Sequence, residues 1–227
     1  MFRHLLVHAS ELPELAEGQV VPSWLSPEEK DIVASLTFPQ RRHKWLLGRM
    51  AAKRLLTEMG WGADLTILND EAGVPYAMKA GERLPVSFSL SHRGDWGLAV
   101  AAVRADVAVG ADLETVEARE PALVRQFFSE EEARRVEAAG DARNAAVARI
   151  WSAKEAVLKV LGIGLRHDTR DIVVGEETAV PAGVRGEWRG LEARLAPTLV
   201  ERIAPQRMAL VFRDLGAHVI TVALLIG

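Results

Sequence analysis

The sequence predicts an α+β protein made of two similar subdomains, 1–105 and 106–227, in a pseudo-twofold arrangement. Each subdomain is expected to pack one long helix on a mainly antiparallel sheet, with the active site at their interface. Two observations carry this expectation. Each half holds one long stretch of helical character, "QRRHKWLLGRMAAKRLLTEMG" and "DARNAAVARIWSAKEAVLKVLG", followed by short apolar runs joined by Gly- and Pro-containing turns. The order of elements repeats between the halves with no residue-level repeat visible, which is an α+β signature rather than an alternating βαβ one.

The elements follow in order. "HLLVHA" reads as a first strand, and Ser26 followed by Pro27 and two acids reads as a helix start. The first long helix ends at Gly60 and offers Trp45, Leu46, Met50 and Leu56 as a buried face. "ADLTILND" alternates as a strand does, and "EAGVPYA" is a turn leading into extended chain. "LPVSFSL" and "WGLAVAAV" are strands flanking a polar turn "SHRGD". "VAVGADLE" opens the second half as a strand, and Ser129 with Glu132 forms a capping box. Asp141 is the expected N-cap of the second long helix and Gly162 its C′ residue. "RMALVFRDLG" and "AHVITVALL" close the chain as a hairpin, and 166–205 carry no readable motif.

Composition narrows the function classes. With 227 residues, 49% hydrophobic and 26% charged, the chain is globular, and its net charge of −3 argues against a nucleic-acid or anionic-lipid partner. The absence of cysteine excludes disulfides, thiolate metal sites and cysteine nucleophiles, and suits a reducing cytoplasm. The N-terminus meets acids too early for a secretory signal, and the apolar run 97–103 falls far short of a membrane span.

Four stretches bear chemistry. Asp112 and Glu114 alternate onto one face of their strand, where two carboxylates repel unless a cation joins them; oxygen-only ligands suit Mg²⁺. A strand end with solvated acids has the same spacing. On the second long helix, Val147, Ile150, Val157, Leu158 and Leu161 form an apolar face with Lys154 at its centre and Glu155 and Lys159 at its edge. Lys154 there is either a snorkelling side chain or one that meets a fixed anion, such as a phosphate. Ser91 and His92, read as part of a hairpin turn, are either plain turn residues or anion holders. Arg41, Arg42, His43, Lys44, Arg49, Lys53 and Arg54 crowd one helix start, as a solvated face or as a patch for a small polyanion.

Together these stretches resemble the 4′-phosphopantetheinyl transferases of the surfactin-synthetase-activating (Sfp) type. The resemblance rests on "GVPY" (73–76), "FSLSHRGDW" (88–96), "VGADLE" (109–114), "FFSEEE" (127–132), "WSAKEAVLK" (151–159) and "GIGL" (162–165), in the family's order over residues 40 to 165. It implies transfer of 4′-phosphopantetheine from coenzyme A to a serine of an apo acyl or peptidyl carrier protein, leaving 3′,5′-ADP. It implies that Asp112, Glu114 and Glu155 hold Mg²⁺, with Mn²⁺ as the alternative ion. Glu155 would be the base, directly or through water, and Lys159 the cation on the leaving diphosphate. Lys154, Ser91, His92, Arg42 and Arg49 would contact coenzyme A, and Gly73 and Pro75 would form the adenine-side loop. Val74 stands where the family usually has Lys or Arg. The N-terminal subdomain would bind coenzyme A and the C-terminal one would carry the metal and catalytic residues, in a cytoplasmic monomer. The residues read without the resemblance also admit a Mg²⁺-dependent nucleotidyl transferase or phosphohydrolase, or a non-catalytic coenzyme A-binding module.

Overall fold

A computed structural model describes residues 1–12, 21–164 and 167–227; Leu165, the last residue of "GIGL", lies outside them. The chain divides into two compact units, Phe2–Ala105 and Asp106–Gly227 with Met1. Each is α+β, with antiparallel sheets.

In the N-terminal unit, β1 (Phe2–His8) pairs with β6 (Trp96–Ala102), which pairs with β5 (Phe88–Arg93). Helix α1 (Pro27–Ser35) begins at a complete capping box. The Ser26 hydroxyl accepts from the Glu29 amide, and the Glu29 carboxylate accepts from the Ser26 amide. Helix α2 (Pro39–Glu58) buries Leu46, Leu47, Ala51, Ala52, Leu55 and Leu56; Trp45 and Met50, expected in that face, are only half-buried. A small sheet of β2 (Thr66–Asn69), β3 (Pro75–Lys79) and β4 (Glu82–Arg83) completes the unit.

The C-terminal unit is a five-stranded sheet in the order β7–β11–β10–β9–β8. Its strands are β7 (Val107–Thr115), β8 (Ile172–Thr178), β9 (Arg189–Leu195), β10 (Arg207–Asp214) and β11 (His218–Ile226). Its helices are α3 (Pro121–Phe127), α4 (Glu130–Ala138), α5 (Arg143–Leu161) and α6 (Pro197–Ile203). The segment without motifs therefore supplies two strands and a helix. Helix α5 starts at Arg143 without a side-chain cap, because Asp141 is taken up in a preceding 3₁₀ turn, Gly140–Ala142. It ends at Gly162, whose φ of 64° is the left-handed conformation that glycine adopts at little cost.

Helix α5 lies close on β7 at Gly110. A Cβ there would lie 2.2 Å from the Ala156 carbonyl oxygen and 2.4 Å from the Val160 amide nitrogen. Only a residue without a side chain lets the backbone of α5 lie directly on β7. Gly97 plays the same part between β6 and α2, with a notional Cβ 2.8 Å from the Leu47 carbonyl oxygen.

Candidate active site

Asp112 follows Gly110 on the same face of β7, so it emerges beside the helix that Gly110 admits. The Lys159 ammonium donates to Asp112 Oδ1 at 2.7 Å and to the Ala111 carbonyl at 3.0 Å, and sits 3.9 Å from Glu155 Oε2. Glu155 and Asp112 are close enough for their charges to act on each other. Two carboxyls and one ammonium thus meet where α5 crosses β7. Burial, and next the Asp112 charge, push the Glu155 carboxyl up to about 7, against the opposing pull of Lys159.

Glu114 is the third acid of the expected metal set, but its carboxylate turns to Arg119, which also lies 3.2 Å from Glu117. Among the described residues, no three histidine or acidic side chains are placed to hold one metal ion together. The expected triad is thus two acids in one place and a third neutralised by an arginine. The donor set at Asp112 and Glu155 still fits a hard dication. Both ligands are oxygen, they are half- to fully buried, and their mutual repulsion is what a cation would relieve.

That repulsion has a pH signature. A carboxyl held above its unfolded value favours the folded state while it stays protonated. The contribution is complete below the ordinary value of 4.5 and is lost as pH rises through about 7. In EDTA, wild type is therefore expected to lose stability relative to Glu155→Gln between about pH 5 and about pH 8. Urea midpoints of the two proteins that run parallel over that range would contradict the assignment.

Lys154 does not face solvent. It is wholly buried, and its ammonium pairs with Glu132 at 2.8 Å while donating to the Thr169 and Ile172 carbonyls at 2.8 and 2.5 Å. The fixed anion that the apolar stripe demanded is a side chain of the same unit, Glu132, where a phosphate was the expected partner. Burial holds the Lys154 ammonium below its ordinary value, against the Glu132 charge.

In the N-terminal unit, Ser91 and His92 are not in a turn. They lie within β5, opposite Leu98 and Gly97, and the turn itself is reduced to Gly94 and Asp95. Ser91 is buried and His92 is exposed. Arg49 is only 6% exposed; it stacks on Trp45 and donates to Asn69 Oδ1 at 2.5 Å, while Asn69 Nδ2 donates to the Gly73 carbonyl at 2.6 Å. Desolvation lowers its guanidinium to about 10, opposed by the Glu29 charge. Arg49, expected as a phosphate ligand, is thus linked through Asn69 to the "GVPY" turn. Gly73 supplies the positive φ of 85° at that turn, and the half-buried Pro75 opens β3. Arg42 bonds the Val33 carbonyl and lines a cavity of about 420 Å³ with Pro39, Gln40, His43, Lys44, Leu46, Gly94 and Asp95. Arg42, His43 and Lys44 of the basic cluster thus line one cavity.

Sequence reasoning gave Glu132 only a capping role and Lys53 only a place in the basic cluster, and it assigned no role to Glu29, Arg119 and Gly110. The capping-box spacing was the available signal for the two glutamates, and a glycine inside an apolar strand was the signal for Gly110.

Residues 108–211 match the family model of the 4′-phosphopantetheinyl transferase superfamily. The chain is 31% identical over 157 residues to a phosphopantetheinyl transferase of a Thraustochytrium species, covering 62% of this chain and 54% of that one. It is 37% identical over 129 residues to the 4′-phosphopantetheinyl transferase AcpT of Salmonella typhi, covering 54% and 60%. The chain thus spans little more than half the length of these two relatives. It is 34% identical over 83 residues to a holo-[acyl-carrier-protein] synthase of a Geobacillus species, covering 33% of this chain and 69% of that one. With the matched segment containing Asp112, Glu114, Lys154, Glu155 and Lys159, the chain belongs to the 4′-phosphopantetheinyl transferase superfamily.

Proposed function

We propose that this chain transfers the 4′-phosphopantetheine group of coenzyme A to a serine of an apo acyl or peptidyl carrier protein, as a transferase of the Sfp type. The observation that carries this is the convergence of Asp112, Glu155 and Lys159 where α5 lies on β7. The names of its relatives, phosphopantetheinyl transferase and holo-[acyl-carrier-protein] synthase, support the same reading.

In this reading Glu155 takes the proton of the carrier serine, whose oxygen forms the new bond to phosphorus. The bond from that phosphorus to the oxygen of the 3′,5′-ADP leaving group breaks, and Lys159 stabilises the negative charge that develops there. Asp112 holds Lys159 in place and shares the carboxylate corner with Glu155. Mg²⁺ or Mn²⁺, bound by Asp112 and Glu155, with Glu114 joining once it leaves Arg119, would neutralise the diphosphate. Arg42, Ser91, His92, Gly73 and Pro75 are the proposed coenzyme A contacts of the N-terminal unit. The setting is a cytoplasmic monomer; no helix among the described residues is long and apolar enough to cross a membrane.

Incubation with apo carrier protein, coenzyme A and Mg²⁺ is expected to raise the carrier's mass by one phosphopantetheine. A carrier set that stays unmodified, while a known transferase modifies it, would refute the reading. Nucleotide turnover with no carrier present would instead favour a nucleotidyl transferase or phosphohydrolase.

A further inference from the structure

The two units contain the same buried device. In the C-terminal unit, Glu132 is the third residue of α4 and closes its capping box by accepting from the Ser129 amide at 2.7 Å. Its other oxygen accepts from the Val174 amide of β8 at 2.8 Å. Lys154 of α5 pairs with it and spends its two remaining protons on the Thr169 and Ile172 carbonyls. In the N-terminal unit, Glu29 accepts from the Ser26 amide at 2.9 Å and from the Ile67 amide of β2 at 3.1 Å. Lys53 of α2 pairs with it at 2.6 Å and donates to the Trp24 and Leu65 carbonyls. Both glutamates are fully buried.

In each copy, one carboxylate and one ammonium join a capped helix, a strand and the long helix at a single point. All three ammonium protons have acceptors, so the long helix has little freedom to rotate or slide without stranding a buried charge. What differs is the residue mounted next to the lysine. After Lys53 comes Arg54, paired with Glu11, and four residues beyond Lys53's neighbour stands Glu58, 3.7 Å from Arg3. After Lys154 comes Glu155, and four residues on from it stands Lys159. The signs of charge are inverted on a common frame.

We propose that Lys154 and Glu132 are positioning residues. Their buried pair fixes the rotation and register of α5, so that Glu155 and Lys159 meet Asp112. The claim about transfer rests on the function proposed above; the claim about placement does not.

The test is a double-mutant cycle between Asp112 and Lys159 (Asp112→Ala, Lys159→Ala and both), read as the urea unfolding equilibrium. It is run in three backgrounds: wild type, Glu132→Leu/Lys154→Met, and Glu29→Leu/Lys53→Met. The paired apolar replacements leave no lone buried charge. Coupling is expected to be about tenfold in wild type and in the N-terminal variant, and under about twofold in the C-terminal variant. Equal coupling in all three backgrounds would overturn the proposal. Should the C-terminal double variant not fold, Glu132→Gln/Lys154→Met, which also leaves no lone buried charge, replaces it and the same comparison decides.

In transfer assays, the C-terminal variant is expected to lose about a hundredfold in kcat with the coenzyme A KM little changed, and the N-terminal variant to keep its kcat. Equal losses in both would reduce the pair to a stabilising role. If wild type transfers nothing, the functional reading fails and the coupling measurement alone judges the placement.

Discussion

Glu155→Gln is expected to lower the rate of phosphopantetheine transfer by about a thousandfold, while the protein unfolds at higher urea than wild type at about pH 8 in EDTA. The two changes have one cause. At that pH the Glu155 carboxyl carries a charge that burial and Asp112 both oppose, and glutamine removes the charge without removing volume. The same charge is what would draw the serine proton. A thousandfold corresponds to about 4 kcal/mol of barrier, within what one base or one electrostatic group supplies. Asp112→Ala is expected to reduce transfer comparably, since it removes the partner of Lys159 and one of the two converging carboxylates. Steady-state transfer to a carrier protein, set beside urea melts of the same samples, checks both. A folded Glu155→Gln protein that retains a tenth of wild-type activity would remove Glu155 from the chemistry.

Gly110→Ala is expected to cost about 3 kcal/mol of stability and to reduce transfer even at temperatures where the variant stays folded. A methyl group there would sit 2.2 Å from one backbone atom of α5 and 2.4 Å from another, and neither can rotate away. The helix must lift or shift, carrying Glu155 and Lys159 off Asp112. Gly97→Ala makes the milder comparison, because its nearest contact is 2.8 Å and the residues of α2 above it carry no proposed chemistry. Urea denaturation and transfer rates of both variants separate a packing defect from a displaced site. If Gly110→Ala melts like wild type, α5 does not rest on β7 as closely as described.

The helices and strands were legible where a local rule governs them. The Ser129 and Glu132 spacing showed a capping box, and Gly162 showed a helix end. The pattern also showed that Lys154 lies on an apolar stripe and needs an anion. It could not show that the anion is Glu132, 22 residues earlier in the chain, because which strand a capping glutamate reaches depends on tertiary packing. For the same reason Arg49 looked like a phosphate ligand, although Asn69, twenty residues on, accepts a hydrogen bond from it. Ser91 and His92 were misplaced because a turn can be as short as Gly94 and Asp95, which lets the strand run through residues that look like loop. Asp141 had the right chemistry for an N-cap, but a 3₁₀ turn shifts the N-cap by one residue, to Ala142. The acidic corner was legible as a pair of same-face carboxylates on β7. That Glu114 would be drawn off by Arg119 was not, since nothing in the spacing of 114 and 119 fixes the loop between them.

The Val174 amide donates to the carboxylate of Glu132, in the same buried knot that holds Lys154, and the Ile67 amide does the same with Glu29. Neither proton can reach solvent until its own knot comes apart. Each unit thus has a built-in clock for hydrogen–deuterium exchange: Val174 times the opening of the frame behind Glu155, and Ile67 times the opening of the frame that carries Arg54 and Glu58.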